Sequence, residues 1–217
     1  MTAEPPRDCQ LCPRLAAFRA ENAASYPEFH SAPVPSFGQQ SARLLVVGLA
    51  PGLKGANRTG RPFTGDFAGD LLYRTLAEFG LSRGTFDARP DDGLMLVDCM
   101  ITNAVRCVPP QNKPETIEIK TCNSFLSARI ESLPNLRVII ALGGIAHAAV
   151  LTALALRKSA HAFKHGAQHA LPGNLTLFDS YHCSRYNTNT GVLTEAMFLD
   201  VFRAATAAIA TTPVVLT

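Results

Sequence analysis

Four runs of aliphatic residues recur along the chain, each with the length of a β-strand. They span residues 43–49, 94–101, 136–142 and 175–178. Continuous apolar runs of this length are typical of strands covered on both faces. Between and after them, apolar residues repeat at helical spacing in residues 71–79, 122–133 and 193–202. Strands that alternate with helices predict an α/β fold, a three-layer sandwich with a central four-stranded, mainly parallel sheet flanked by helices.

The length and composition of the chain suit one globular domain. Its 217 residues are 47% hydrophobic and 17% charged, enough to bury a substantial core. We therefore expect a single domain over residues 1–217, with an amphipathic N-terminal arm. A formal charge of +3 permits a polyanionic partner but does not by itself indicate one. With no apolar segment as long as a membrane span and no leader-like N-terminus, we expect a cytoplasmic protein without membrane contact.

Four of the six cysteines have a spacing that suits metal ligation. In a reducing compartment, thiolate ligation or burial explains cysteines better than disulfides do. Cys9 and Cys12 are separated by two residues, which lets both reach one ion or one face of a cluster. Cys107 and Cys122 are too far apart for the second half of a zinc ribbon, whereas a cubane cluster accepts such spacing. We predict a 4Fe-4S cluster on these four thiolates, with zinc or no metal as the alternatives.

The other two cysteines have a simpler interpretation. Cys99 lies inside an apolar strand, where a free cysteine behaves as a small buried hydrophobe. Cys183 adjoins His182, a pairing that could form a nucleophile, but nothing else in the sequence supports thiol chemistry. We expect neither cysteine to be a ligand.

Three histidines recur at four-residue spacing, at His161, His165 and His169. On a helix, this spacing would place them on one face, where they could bind a metal ion. The intervening Gly166 and the lack of a neighbouring carboxylate favour a loop instead. We therefore predict a loop segment and keep the metal-binding face as the alternative.

A long glycine-rich loop follows the first predicted strand and leads into a helix. It reads GLAPG at residues 48–52 and NRTGRPFTGD at residues 57–66. Glycines let a backbone approach a ligand closely, but the order of the phosphate-binding and dinucleotide-binding loops is absent. Sites of parallel sheets collect beyond the carboxyl ends of the strands. The corresponding loops here span residues 50–66, 102–114, 143–147 and 181–191.

These motifs, with ITNAVRCVPP at residues 101–110 and HCSRYNTNTG at residues 182–191, resemble the uracil-DNA glycosylase superfamily, most closely its family 5 (type B). The resemblance covers nearly the whole chain, and the motifs stand in the expected order. Family 4 has a similar cysteine layout but reads GEAPG in the first motif, where this chain has the neutral Leu49. The last motif, often HPS, is here His182-Cys183-Ser184.

The resemblance implies a monofunctional DNA glycosylase. Such an enzyme flips uracil out of DNA, hydrolyses its N-glycosidic bond and starts base excision repair. No lysine suited to β-elimination is evident, so an abasic site should remain. Because Leu49 removes an acidic residue, we also expect a wider pocket that takes hypoxanthine and xanthine.

Three side chains are predicted to be catalytic, those of Asp66, Asn103 and His182, and a fourth, Phe63, is predicted to bind the base. Since Leu49 cannot stabilise a cationic sugar, Asp66 should supply the carboxylate. A helix cap is the alternative interpretation of Asp66. Asn103 should bind the edge of the flipped base and Phe63 should stack on it, the alternatives being a loop turn and a core residue. His182 should stabilise negative charge on the base carbonyl.

Further residues of the motifs are predicted to bind substrate or DNA. The backbone at Gly48 and Ala50 should border the base. One side chain after the last motif's serine should wedge into the gap that the base leaves. The predicted DNA contacts are Arg58, Arg61, Ser184, Arg185 and Tyr186.

Two rival functions fit less well. A non-catalytic iron–sulfur nucleic-acid-binding module would not need Asp66, Asn103 and His182 together. A small-molecule hydrolase on a flavodoxin-like sheet would need a phosphate loop or a nucleophile–base pair, which the sequence lacks. We expect DNA that contains deaminated bases to be the partner, and a monomer to be the acting form.

Overall fold

The structure, a computed structural model, describes residues 2–211. Within this range the α-helices are α1 Pro13–Ser25, α2 Ala56–Thr59, α3 Phe67–Glu78, α4 Thr116–Glu131, α5 Gly144–Ala153, α6 Arg185–Asn189 and α7 Glu195–Thr211. The strands are β1 Phe37–Gly38, β2 Leu44–Gly48, β3 Ser82–Arg83, β4 Met95–Leu96, β5 Cys99–Asn103, β6 Val138–Leu142, β7 Gln168–Leu171 and β8 Leu175–Ser180. Short 3-10 turns occur at Pro110–Asn112, Lys158–Ala160 and Pro172–Asn174.

The main sheet has a parallel centre and antiparallel edges. Its strand order is β1-β5-β2-β6-β8-β7. The central strands β5, β2, β6 and β8 are parallel, whereas β1 and β7 pair antiparallel to their neighbours. The predicted fold class is confirmed, but the sheet has six strands rather than four. The two edge strands are not predicted from the sequence, because β1 has only two residues and β7 has four, of which only Leu171 is buried.

Helices cover both faces of this sheet, as the continuous apolar strands require. On β2, Leu44 and Val46 face the layer of α3 and α7, whereas Leu45 and Val47 face α4 and α5. All four side chains are buried. Burying a side chain of this size contributes about 1.5–3 kcal/mol, so the central strands anchor the fold. Within residues 2–211, no helix combines the length and apolar character that a membrane crossing requires.

The second predicted strand is interrupted. Met95–Leu96 pairs with Ser82–Arg83 in a separate two-stranded sheet, and the main sheet resumes only at Cys99. Asp98 breaks the run, because its backbone takes a left-handed φ of 54°. Its carboxylate accepts hydrogen bonds from the backbone N–H and the Nε of Arg43, at 3.0 and 2.7 Å. A single acidic residue thus ends an apolar run that otherwise reads as one strand.

Besides the segment 50–66, which contains the four-residue helix α2, two loops predicted at the sheet's carboxyl edge contain helices. The segment 143–147 was expected to be a loop, but α5 begins at Gly144, directly after Gly143 turns the chain with a φ of 100°. The segment 181–191 contains the short helix α6. The irregular loops at these two places are therefore shorter than predicted. The helices α5 and α6 hold the backbone beside the candidate site.

Candidate active site

Side chains from three segments line one small pocket at the carboxyl edge of the sheet. Asn103 ends β5, His182 follows β8 by two residues, and the loop after β2 supplies Phe63 and Asp66. Ala50 lines the same pocket. The parallel strands cause this convergence, since their carboxyl ends meet at one edge. The remaining lining residues, which are not among the individually predicted site residues, are Pro51 and Gly52 of the GLAPG motif, Ala56 and Ala68.

Asp66 is both a helix cap and a member of the pocket. It is the N-cap of α3, and its Oδ1 accepts a hydrogen bond from the Gly69 N–H at 3.2 Å. Its Oδ2 lies against Gly55, where an added β-carbon would come within 2.4 Å of it. Burial raises the pKa of the Asp66 carboxyl, although backbone N–H groups oppose the shift. Asp66 is therefore a helix cap whose half-buried carboxylate also lines the pocket, and its catalytic role stays a prediction.

Asn103 presents an unsatisfied acceptor. Its side chain is 3% exposed, and its Oδ1 has no hydrogen-bond partner among the residues that the structure describes. Leaving a buried acceptor unpaired costs about 1–3 kcal/mol, which a ligand donor in the pocket would recover. Gly48 pairs with Asn103 across the sheet and leaves it room. A β-carbon on Gly48 would lie 2.4 Å from this Oδ1 and 2.6 Å from the Phe63 ring.

Phe63 and His182 form two neighbouring walls of the pocket. Their ring centroids are 6.1 Å apart, and the rings are inclined by 26°. Phe63 also packs into the core, and its backbone takes a left-handed φ of 54°, a strained conformation for a bulky residue. Burial lowers the pKa of His182, so the imidazole is neutral at pH 7. A neutral imidazole can donate one hydrogen bond into the pocket.

A wider groove adjoins this pocket and includes two of the five predicted DNA contacts, Ser184 and Arg185. Leu49, Lys54, Asp66, Ser184 and Arg185 are among its lining residues. The groove therefore joins the pocket to a surface with basic side chains.

The residues after the last motif differ in how they are held. Ser184 caps α6 by accepting a hydrogen bond from the Asn187 N–H at 3.4 Å. The Arg185 guanidinium lies over the Phe67 ring, 5.3 Å from its centroid. The Tyr186 side chain is 73% exposed. Of the two candidate wedges, Tyr186 projects outward and Arg185 is stacked on the protein.

The two arginines of the glycine-rich loop are placed very differently. Arg58 is exposed, and its Nε donates to the Lys54 carbonyl at 2.9 Å. Arg61 is only 5% exposed and forms a two-bond ion pair with Asp92, each N–O distance being 2.7 Å. Its guanidinium also lies close to three aromatic rings, those of Phe37, Tyr73 and Phe86. The predicted DNA contact of Arg61 does not fit this position, because its donors are occupied inside the protein.

The four spaced cysteines line a second cavity. Cys9 and Cys12 precede α1, Cys107 follows β5, and Cys122 lies on α4. Among residues 2–211, no three of these sulfur atoms lie within 4.8 Å of one another. One zinc ion would need sulfurs about 3.8 Å apart, given a Zn–S bond of about 2.3 Å. The donor set and its wide spacing fit an iron–sulfur cluster better.

Charged and apolar neighbours complete this cavity. Leu15 and Phe125 line it, and Arg19 donates from Nη1 to the Cys107 sulfur at 2.9 Å. Burial raises the pKa of Cys12 to about 11 and that of Cys122 to about 12, so both thiols are protonated until a cation binds them. The cavity thus suits a metal group that deprotonates its ligands.

Neither remaining cysteine has the environment of a nucleophile. Cys99 and Cys183 are both fully buried. The Cys183 sulfur lies 3.5 Å from the Ala68 carbonyl oxygen, and burial raises the pKa of its thiol to about 12. A reactive cysteine needs a lowered pKa and access to solvent.

One buried ionic group near the cavity was not foreseen from the sequence. Arg106, 1% exposed, contacts Glu4 at 3.1 Å, and Glu4 also pairs with Arg129. Arg106 further donates to the Val34 carbonyl and the Ser36 hydroxyl. This group fastens the N-terminal arm to the segment that leads from Asn103 to Cys107. The one sign of this ionic group in the sequence is the position of Arg106, which stands between the apolar residues Val105 and Cys107.

Comparison with known proteins is consistent with this geometry. Residues 35–206 match a model of the uracil DNA glycosylase superfamily. The chain is 49% identical, over 91% of its length and 92% of the relative, to a type-5 uracil-DNA glycosylase of Thermus thermophilus. It is 39% identical to a type-5 uracil-DNA glycosylase of Pyrobaculum aerophilum, over 92% and 88% of the two chains. A type-4 uracil-DNA glycosylase of Saccharolobus solfataricus is 37% identical, over 66% and 54%.

Proposed function

Because the chain belongs to the uracil DNA glycosylase superfamily, with type-5 members among its relatives, we propose that it removes uracil from DNA. It hydrolyses the N-glycosidic bond of the flipped nucleotide and so initiates base excision repair. The observation that carries this proposal is the convergence of Phe63, Asp66, Asn103 and His182 on one pocket. Action as a cytoplasmic monomer, as predicted from the sequence, is part of the same proposal.

Base recognition rests on Asn103 and Phe63. Uracil offers an N3–H donor beside two carbonyl acceptors, and an amide presents both an acceptor and donors to such an edge. The unpaired Oδ1 of Asn103 suits the N3–H of the base. The Phe63 ring supplies a stacking surface in place of the base's lost neighbours. Gly48 keeps the space between these two side chains open.

Bond cleavage rests on Asp66 and His182. As the base leaves, the sugar gains positive charge and the base gains negative charge. The buried Asp66 carboxylate stabilises the sugar cation and orients the attacking water. The neutral His182 donates a hydrogen bond to the carbonyl oxygen that becomes negative. Both groups line a partly buried pocket, where electrostatic interactions are stronger than in bulk water.

Leu49 bears on the range of bases. It lines the wide groove beside the pocket and provides no charge. The lack of an acidic side chain at this position supports the proposal that hypoxanthine and xanthine are also accepted. Duplex DNA with a single hypoxanthine, assayed beside uracil, tests this extension, and failure to excise hypoxanthine would contradict it.

Tyr186 is the proposed wedge. We expect Tyr186→Ala to lower excision from duplex DNA by about tenfold, since one stacking contact contributes about 1–3 kcal/mol. Excision from single-stranded DNA should change little, because no stacked partner has to be replaced. Initial rates on matched duplex and single-stranded substrates measure the difference. Arg185→Ala is the control, and a larger duplex-specific loss in that variant would assign the wedge to Arg185.

The cysteine cavity is proposed to hold a 4Fe-4S cluster on Cys9, Cys12, Cys107 and Cys122. When bound, such a cluster cross-links its four ligands through iron. Cys9 and Cys12 belong to the N-terminal arm, whereas Cys107 and Cys122 belong to the segment around α4. A cluster bound to all four would therefore hold the N-terminal arm against that segment. Arg19 would offset negative charge on the Cys107 sulfur.

Anaerobically purified protein is expected to contain about four iron and four sulfide per chain. Cys107→Ser should lower both strongly, because one ligand is lost. Cys99→Ala should leave them unchanged, because Cys99 is buried in β5, away from the cavity. Iron and acid-labile sulfide analysis make the measurement. About one zinc per chain in place of iron would contradict the proposal.

Excision from a labelled oligonucleotide with one uracil tests the proposed function. The intact protein should leave abasic sites, so strand breaks should appear only after alkali treatment. Breaks without alkali would show lyase activity and contradict the monofunctional mechanism. Binding to DNA without any excision would favour a non-catalytic module instead.

A further inference from the structure

A second group of ligand-type side chains lies behind the candidate active site. His147 comes from α5, His169 from the edge strand β7, and Asp179 from β8. One donor atom of each lies within 4.8 Å of the other two. The exposed fractions of the three side chains are 4%, 12% and 0%. These residues take no part in the proposed glycosylase chemistry.

The hydrogen bonds of His147 require a cation between its ring and Asp179. Its Nε2 lies 2.8 Å from the His161 carbonyl oxygen, which only accepts, so Nε2 must carry a proton. Its Nδ1 lies 2.6 Å from Oδ1 of Asp179, another acceptor. A proton, carried by the ring or by the carboxyl group, or a metal ion must therefore lie between Nδ1 and Oδ1 of Asp179. His169 approaches the other carboxylate oxygen, with Nε2 2.9 Å from Oδ2.

We propose that His147, His169 and Asp179 form a binding site for a divalent transition-metal ion of the zinc class. Two imidazoles and one carboxylate are a donor set that such ions accept. A ligating histidine commonly donates its other N–H to a backbone carbonyl, as His147 does to His161. Ligand atoms around zinc lie about 3.3 Å apart, given bonds of about 2.0 Å. The ring and the carboxylate would thus separate by less than about 1 Å on binding.

The bound ion would fasten the strand end that carries His182. Asp179 precedes His182 by three residues. The residue after Asp179 is Ser180, whose backbone carbonyl accepts a hydrogen bond from the Gly143 N–H at 2.8 Å. The ion would join α5, β7 and β8 at this point. Binding should therefore stabilise the fold, because a metal that binds only the folded form shifts unfolding by mass action.

Cobalt binding to the full-length protein tests the site. With its cysteine ligands occupied by iron, the protein should bind one equivalent of Co²⁺. The difference spectrum between cobalt-loaded and cobalt-free protein should show weak visible absorption without new thiolate charge-transfer bands. His169→Gln should weaken this binding at least tenfold, because one of three ligands is lost. ZnCl2 should raise the unfolding temperature of the intact protein and not that of the variant.

His165→Gln is the matched control. His165 lies in the same segment and accepts a hydrogen bond from the Tyr181 N–H, outside the ligand group. The His165→Gln variant should bind Co²⁺ as tightly as the intact protein does. Absence of binding by the intact protein, or binding that His169→Gln leaves unchanged, would overturn the proposal and leave a proton-filled hydrogen-bond network. This test is independent of glycosylase activity.

Discussion

Asp66→Asn is expected to lower uracil excision by about 10²- to 10⁴-fold, the range in which a positioned acid or base contributes. The amide fills the same space but cannot stabilise a cationic sugar. Asparagine is as good a helix cap as aspartate, so α3 should be unaffected. Single-turnover excision rates with saturating enzyme measure the chemical step.

The same variant should be at least as stable as the intact protein at pH 7. Burial raises the pKa of Asp66 above its value in the unfolded chain, so the folded state favours the protonated form. The cost of burying the charge is absent at low pH and grows as the pH rises through the raised pKa. Asparagine removes this cost. Urea unfolding at pH 7 measures the difference.

Asp70→Asn provides the control for Asp66. Asp70 is an exposed acidic residue in the first turn of the same helix. Its replacement should leave excision within a factor of about two, because it changes only a solvated charge near the helix start. If Asp66→Asn retains activity within tenfold of the intact protein, Asp66 is a helix cap and the carboxylate must come from another residue.

His182→Gln is expected to lower the excision rate by about 10²- to 10³-fold, the loss typical of one donor to a developing anion. The effect should fall on the rate constant more than on the KM, because the donor is needed mainly in the transition state. Glutamine is also a donor but cannot reproduce the position of the ring nitrogen. Steady-state kinetics on a uracil oligonucleotide separate the two constants.

The pH profile of the intact enzyme should reflect the same two groups. The pKa of His182 is lowered from 6.5, and that of Asp66 is raised from 3.8, in both cases mainly by burial. Activity should therefore be level above pH 6.5 and fall only in acid, as Asp66 loses its charge. A fall centred above pH 7 would mean that another group controls the reaction.

His30→Gln is the control for His182. Burial lowers the pKa of His30 as well, but this residue does not line the pocket. Its replacement should leave the rate and the pH profile unchanged. A loss equal to that of His182→Gln would point to a general effect of removing buried histidines.

Much of this arrangement follows from local sequence. The parallel centre of the sheet was predictable because buried strands need continuous apolar runs, and those of β2 and β6 survive in the fold. Phe63, Asp66, Asn103 and His182 were indicated by motifs at strand ends. The rule that carboxyl ends share one edge then predicted their proximity. The family resemblance is confirmed by the comparisons.

Only the tertiary structure decided which polar side chains are buried and with what partners. Arg61 and Asp92 are distant in sequence, so a motif that suggested a DNA contact could not reveal an internal ion pair. His161, His165 and His169 attracted notice by their spacing, but His169 instead meets Asp179 and His147 across three elements. Apolar periodicity is a local property of the chain, whereas the pairing of charges depends on chain crossings that are settled only when the whole core packs.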